Sequence, residues 1–259
     1  MEILFGSSAY LAKGCIVAYN DQSKTVMKYN LDSLRNGASD GAPVRLTKHQ
    51  ISDALISRLI PMNDSVFVAG GIYKSHYQHL IFDSNSQVLD YAINVYNAAD
   101  SSFNVDTRFL SNQGYMAKHP VKNKFAYSVN FSSNLDFFEV SGNKIKLIKS
   151  LRLGDPVYES LVEAKEQLFM ARPTKETIHG FIELCATPKY VYALYSDGKI
   201  FEAPRETKIV LVFDWNGKPV KKLLLDTNAF HIAVNEKEQS LFAVVKNEEG
   251  GFSIISYAL

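Results

Sequence analysis

Ionisable side chains stand within or beside apolar runs at five places in this sequence, namely Arg58, His119, Arg172, Glu183 and His231. An arginine on an inner strand can bind an anion through two parallel hydrogen bonds. A histidine at the end of an apolar strand lies where pockets collect their polar groups. We therefore predict these five as ligand-binding residues. For the two arginines a second interpretation stays open, in which the aliphatic stem packs on apolar surface and the charged head remains in water.

The motifs of common catalytic and metal sites are missing from the sequence. It contains no glycine-rich phosphate loop, no Gly-x-Ser-x-Gly and no Cys-x-x-Cys. His76 and His79 are three residues apart, an offset that points them to opposite faces of a strand. The polar segment 83–86 lacks the glycine and glutamate of a calcium loop, and a hairpin turn explains it. The sequence therefore predicts no catalytic residue, no metal and no cofactor.

The charges of the chain are nearly balanced, with 28 Lys and Arg against 27 Asp and Glu. A nucleic-acid-binding protein usually carries a basic excess, so we expect no nucleic-acid partner. Cys15 and Cys185 lie in separate apolar runs, which is typical of buried free thiols. The N-terminus lacks the pattern of a signal peptide, and no apolar run has the ~20 residues of a membrane span. The sequence as written predicts a soluble, cytoplasmic chain without a membrane span.

One short pattern recurs five times along the chain. In each copy, a polar turn leads into an apolar or aromatic strand that ends in polar residues. The copies occupy residues 13–20, 64–71, 123–130, 189–196 and 239–246. Recurrence at a spacing of roughly 50 residues is typical of propellers and other repeat architectures.

A second pattern follows three of the copies, at residues 82–88, 138–145 and 213–220. Each has an acid and then Asn, Gly or Ser, which tolerate the positive φ of tight hairpin turns. A unit is then a four-stranded antiparallel sheet, the form of a propeller blade. We predict an all-β chain, a β-propeller with five clear units, in one domain over residues 1–259. Residues 160–170 have apolar positions at helical spacing, and the run also ends like a strand at residues 167–171; we favour an inserted loop with a short helical turn.

Two stretches carry a resemblance to a known family. Residues 180–197 and residues 209–222, above all Val212-Phe-Asp-Trp-Asn-Gly-Lys-Pro-Val220, resemble the TolB-like six-bladed propellers of Bacteroidetes. The resemblance implies a six-bladed propeller of the cell envelope, usually exported and often lipid-anchored, without an established activity. The chain departs from the family pattern in its missing export signal and in showing five clear units rather than six.

The predicted first strands of the units contain residues 57–60, 114–119, 181–184 and 230–233. Their polar members come from different units, and a closed ring would bring them into one cavity at the mouth of the channel. We expect a non-catalytic propeller that binds a small molecule, a glycan or a protein there. The alternative is a carbohydrate-active hydrolase or lyase that uses His119 or His231 with Arg58 or Arg172.

Overall fold

The computed structural model describes residues 8–12, 14–20, 23–36, 45–49, 51, 54–73, 76–95, 105–163 and 168–259 of the chain. Within these residues the helices are α1 (Leu31–Arg35) and α2 (Val105–Ser111). All other regular elements are strands, joined by antiparallel pairing. None of the helices in this described part is long and apolar enough to cross a membrane.

The chain divides into two compact units. The first unit comprises Met1–Asn94 and Gly142–Ile145, and the second comprises Val95–Ser141 and Lys146–Leu259. Each contains sheets whose strands follow one another in chain order. Such meanders need only short connections, which agrees with the turn residues that separate the strands in the sequence.

The first unit contains two four-stranded sheets. One consists of β1 (Ser8–Ala12), β2 (Cys15–Asn20), β3 (Thr25–Asn30) and β4 (Arg45–Lys48), and the other of β5 (Ala54–Pro61), β6 (Val66–Tyr73), β7 (Tyr77–Asp83) and β8 (Val88–Asn94). Their shared core includes Tyr19, Leu59 and Phe82. In β6 and β7 five consecutive residues are buried, so both faces of these strands are covered.

The second unit contains one four-stranded sheet, one two-stranded hairpin and one six-stranded sheet. The four-stranded sheet consists of β9 (Gly114–Lys118), β10 (Lys124–Val129), β11 (Asn134–Ser141) and β12 (Lys144–Arg152), and the hairpin of β13 (Tyr158–Glu163) and β14 (Leu168–Pro173). The first two residues of β12, Lys144 and Ile145, are assigned to the first unit. The six-stranded sheet consists of β15 (Ile178–Ala186), β16 (Tyr190–Lys199), β17 (Thr207–Asp214), β18 (Pro219–Val234), β19 (Ser240–Lys246) and β20 (Phe252–Ala258).

Strand β18 belongs to two repeats of the sequence. Residues 219–224 pair with β17 and residues 229–234 pair with β19, and Ala229 is paired with both Thr207 and Val245. The first half of β18 thus completes one four-stranded unit, and the second half begins the next. The five sequence copies lie in β2, β6, β10, β16 and β19, the second strand of each unit, as predicted.

The described residues of the segment 160–170, which are 160–163 and 168–170, form strands, and the predicted helical turn is not found among them. They belong to β13 and β14, which pair with each other from Tyr158↔Pro173 to Glu163↔Leu168, and residues 164–167 lie outside the described residues. A hydrogen bond of 3.0 Å between the hydroxyls of Thr107 and Ser160 connects this pair of strands to α2. In this short segment the spacing of the apolar residues is compatible with a strand and with a helix, so the sequence did not distinguish the two.

Candidate functional site

The predicted first strands are confirmed as β5, β9, β15 and the second half of β18. At one end of each sheet the first strand begins and the second strand ends. We call this end of the sheet its starting end. In an antiparallel sheet these two points are neighbours, as the pairing of Gly114 with Val129 shows. Turns that meet at a starting end can therefore bring together side chains that are far apart in sequence.

Arg58 and Arg172 belong to different units. Arg58, in β5 of the first unit, is half-buried, and its Nη1 donates to the carbonyl oxygen of Ser57 at 2.9 Å. A β-bulge between Ile56 and Arg58 turns this part of the strand. Arg172, in β14 of the second unit, is exposed and stands opposite Glu159 in the register.

His119 is built into the packing of the second unit. Only 3% of the residue is exposed, and its Nδ1 accepts the backbone N–H groups of Val121 and Lys122, both at 3.0 Å. Its ring centroid lies 5.1 Å from that of Trp215. Burial lowers the pKa of His119, helped by the charges of Lys122 and Lys118 and opposed by a hydrogen bond to the backbone of Pro188. The imidazole is thus neutral and acts as a hydrogen-bond acceptor within the fold.

Glu183 and His231 are brought together by the fold. His231 Nδ1 lies 3.3 Å from Glu183 Oε1, and Glu183 Oε2 accepts the backbone N–H of Ile232 at 2.7 Å. Bulges between Phe181 and Glu183 and between Ala229 and His231 turn these side chains relative to their neighbours. Two of the five predicted residues, from neighbouring repeats, therefore form one polar pair.

The electrostatics of the pair follow from its half-buried position. The side chain of Glu183 is 24% exposed and that of His231 is 64% exposed. Burial raises the pKa of Glu183, and the Ile232 hydrogen bond and His231 partly offset this rise. The carboxyl group is therefore easier to protonate than an exposed glutamate, while the imidazole edge stays accessible from water.

Cys185 continues the same contact between β15 and β18. It lies two residues after Glu183 and so projects from the same face of the strand. Burial raises the pKa of its thiol to about 11, and a hydrogen bond from the backbone of Val234 opposes the rise. Glu183 and Cys185 thus bind backbone groups two residues apart on β18, which would otherwise stand unpaired at a strand edge.

A second cluster, which sequence analysis did not predict, lies at the starting end of β9. Arg205 Nη2 donates to the hydroxyl of Tyr115 at 2.7 Å. The guanidinium carbon stands 5.9 Å from the centroid of the Tyr115 ring and 5.8 Å from that of Phe131. The ring of Tyr158 meets Phe131 edge-on, with the two centroids 6.3 Å apart. We call these four residues the arginine–aromatic cluster.

Backbone contacts position the parts of this cluster. Phe131 follows the end of β10 with a φ of +57°, and its N–H donates to the carbonyl oxygen of His179 at 3.1 Å. The Nε2 of His179 in turn donates to the carbonyl oxygen of Ala203 at 2.7 Å, in the turn that carries Arg205. His179 therefore connects the Phe131 turn with the Arg205 turn. No short motif in the sequence marks a contact that joins residues 115, 131 and 205.

The repeating antiparallel units are similar to those of known proteins. The family description "TolB-like 6-blade propeller-like" matches residues 17–237. This chain belongs to that family. The predicted family resemblance and the β-propeller fold are thereby confirmed. No curated protein matches the sequence.

Solved structures agree with this fold at low sequence identity. Raptor from Chaetomium thermophilum is 10% identical with a TM-score of 0.52, over 97% of this chain and 18% of that one. AztD from Citrobacter koseri is 12% identical with a TM-score of 0.51, over 97% of this chain and 57% of that one. A protein of Bacteroides fragilis is 13% identical with a TM-score of 0.53, over 93% and 66%. The chain thus spans less than two thirds of the length of each, and the likeness concerns the fold alone.

Proposed function

We propose that the chain is a non-catalytic propeller that binds a small molecule, a glycan or a protein, and that Glu183 and His231 contribute to its binding site. The observation that supports this function is the pair itself. Two neighbouring repeats hold a carboxyl group and an imidazole 3.3 Å apart, with the imidazole open to water. Convergent polar groups of this kind give a ligand both a donor and an acceptor. A pocket shared with Arg58, His119 and Arg172 stays a prediction.

The alternative is a carbohydrate-active hydrolase or lyase. Most glycoside hydrolases flank the reacting bond with two carboxyl groups, about 5 to 10 Å apart. Glu183 is instead paired with a histidine, and its second oxygen is engaged by the backbone of Ile232. The raised pKa of Glu183 is the feature that favours the alternative, because a general acid needs such a shift. The engaged oxygens favour binding over proton transfer.

A panel of neutral and acidic oligosaccharides would test this function through the shift in melting temperature that each compound causes. We expect at least one compound to bind, and Glu183→Gln and His231→Gln to weaken it by roughly tenfold, since a charged hydrogen bond contributes about 1.5 to 3 kcal/mol. Glu176→Gln is the matched control, because Glu176 forms an exposed ion pair with Lys199 at 2.8 Å elsewhere in the same unit.

The same mixtures, analysed by chromatography after a day, separate the two functions. Unchanged oligosaccharide supports a binding protein. Shortened or unsaturated products that disappear in Glu183→Gln would establish the hydrolase or lyase instead. If neither variant weakens binding of the oligosaccharide, Glu183 and His231 are not part of the binding site.

A further inference from the structure

The guanidinium of Arg205 lies beside two aromatic rings. Its carbon is under 6 Å from the centroids of Tyr115 and Phe131, and it donates one hydrogen bond, to the Tyr115 hydroxyl at 2.7 Å. An arginine held by a hydrogen bond and by ring contacts loses less conformational entropy when it binds than an arginine without such contacts. Arg205 is nevertheless an exposed residue, so that its other N–H donors can reach a ligand.

The positive charge of Arg205 is not neutralised within the described part of the chain. No carboxylate there lies within ion-pair distance of its guanidinium. The two acids beside it in sequence have other partners. Glu206 Oε1 accepts from Asn228 Nδ2 at 3.4 Å, and the charge of Glu202 acts on Lys199. The N–H donors of such a cation can bind an anion through charge-assisted hydrogen bonds.

The rings around Arg205 add an apolar surface with polar edges. Tyr115, Phe131 and Tyr158 are each half-buried residues. Burial raises the pKa of the Tyr158 hydroxyl, which is therefore neutral in the fold. Aromatic faces bind apolar C–H surface, and phenol groups bind hydroxyls, a combination that suits a sugar ring.

From this geometry we infer that the arginine–aromatic cluster binds a sugar acid, with Arg205 on the carboxylate and the rings of Tyr115, Phe131 and Tyr158 against the pyranose. A single arginine matches the one charge of a planar carboxylate, which its fork can bind through two hydrogen bonds. A phosphate group would carry more charge, and its sites usually add backbone N–H groups at a helix N-terminus. The inference names a ligand class for the proposed binding function, but it does not depend on Glu183 or His231.

Isothermal titration with trigalacturonate tests the inference, and the fully methyl-esterified trisaccharide and inorganic phosphate serve as the comparison probes. We expect the acid to bind at least tenfold more tightly than its ester, because esterification removes the charge and leaves the rings of the ligand unchanged. Arg205→Lys keeps the positive charge but loses the planar fork and the stacking, and it should weaken binding of the acid by roughly tenfold.

Arg152→Lys is the matched control, since Arg152 is an exposed arginine of the same unit on β12, and it should bind the acid like the original chain. Circular dichroism and the melting temperature of each variant confirm that it is folded. Equal binding of acid and ester, unchanged binding by Arg205→Lys, or absence of any binding to trigalacturonate would overturn the sugar-acid site. Displacement of the acid by an equal concentration of phosphate would overturn it in favour of a phosphate-bearing ligand.

These outcomes differ from failure of the proposed function. If a neutral oligosaccharide binds and depends on Glu183 and His231 but not on Arg205, the binding function stands and the sugar-acid site falls. If trigalacturonate binds through Arg205 while Glu183→Gln and His231→Gln bind normally, the sugar-acid site stands and the role proposed for the Glu183–His231 pair falls.

Discussion

The ring of His119 illustrates how one residue type can serve packing or chemistry. Its Nδ1 accepts two backbone N–H groups, and its ring packs on a tryptophan. An imidazole in such a place can gain a proton only by giving up both hydrogen bonds. Burial and the charges of the nearby lysines also disfavour the protonated ring, and the pKa of His119 is lowered.

His119 should make the stability of the chain depend on pH. Its pKa in the folded state lies below the value of about 6.5 in the unfolded chain. The unfolded chain therefore binds more protons in mildly acidic solution. The contribution of His119 is fully present above pH ~6.5, and it is lost as the pH falls through the folded-state pKa.

We expect the free energy of unfolding to fall more steeply between pH 7 and pH 5 in the original chain than in His119→Gln. Urea unfolding at a series of pH values measures both slopes. The difference in the free energy of unfolding between the two proteins at pH 8 measures the packing lost in the variant and serves as the internal reference. The same difference at every pH would show that His119 does not titrate with folding.

The residues of the candidate site were predictable to different degrees. Glu183 and His231 were found because ionisable groups inside apolar strands are unusual, and the repeat placed both on first strands. Arg205 and Phe131 were missed because each lies in a turn, where polar and aromatic residues are ordinary. Their contact depends on the long-range approach of two turns, which a single sequence does not encode in any local pattern.

Strand β15 is the element on which both candidate sites depend. It carries Glu183 towards β18, and its first residues contact the turn after β10 through a bridge between Asn130 and Gly180. Gly180 has a φ of +63°, and a Cβ there would lie 2.3 Å from the carbonyl oxygen of Ser132. The close approach of the two backbones therefore requires glycine at this position.

Gly180→Ala should destabilise the chain by roughly 3 to 5 kcal/mol, from a left-handed backbone that disfavours alanine and a clash with backbone atoms. Gly250→Ala is the matched control, because its φ is +82° and nothing lies within 4 Å of the position of a Cβ. It should cost about 1 to 2 kcal/mol for the backbone alone. Urea unfolding measures both variants, and equal losses would show that the approach to Ser132 can relax.

The strands were more predictable than the connections between them. Turn residues marked the hairpins β7–β8, β11–β12 and β17–β18, because the positive φ of Gly142 and Gly217 or an Asn–Ser turn needs particular residue types. The hairpin β13–β14 was missed, since its strands are short and the apolar spacing in residues 160–170 fits a helix as well. The assignment of residues 213–220 and 230–233 to different units was correct, but their continuity within one strand, β18, was not foreseen.

At the scale of the whole molecule, the repeat was the informative feature. Five copies in five second strands predicted the antiparallel units and, with the family resemblance, the propeller fold. A sequence repeat indicates the fold, because every copy must satisfy the same strand pairing and burial. A binding site occurs once in the chain and therefore leaves no repeated pattern in the sequence. The number of domains is a separate property, and one domain over residues 1–259 stays a prediction.

That prediction can be tested through cooperativity, because a single domain unfolds in one transition. We expect Gly180→Ala, a change in the second unit, to speed amide hydrogen exchange equally in both units. Val68 and Ala69 in β6 report on the first unit, and Val191 and Ala193 in β16 report on the second; all four are fully buried. Amides that exchange only by global unfolding accelerate by the same factor when the free energy of unfolding falls. Acceleration confined to β16, with β6 unchanged, would show two separately folding domains.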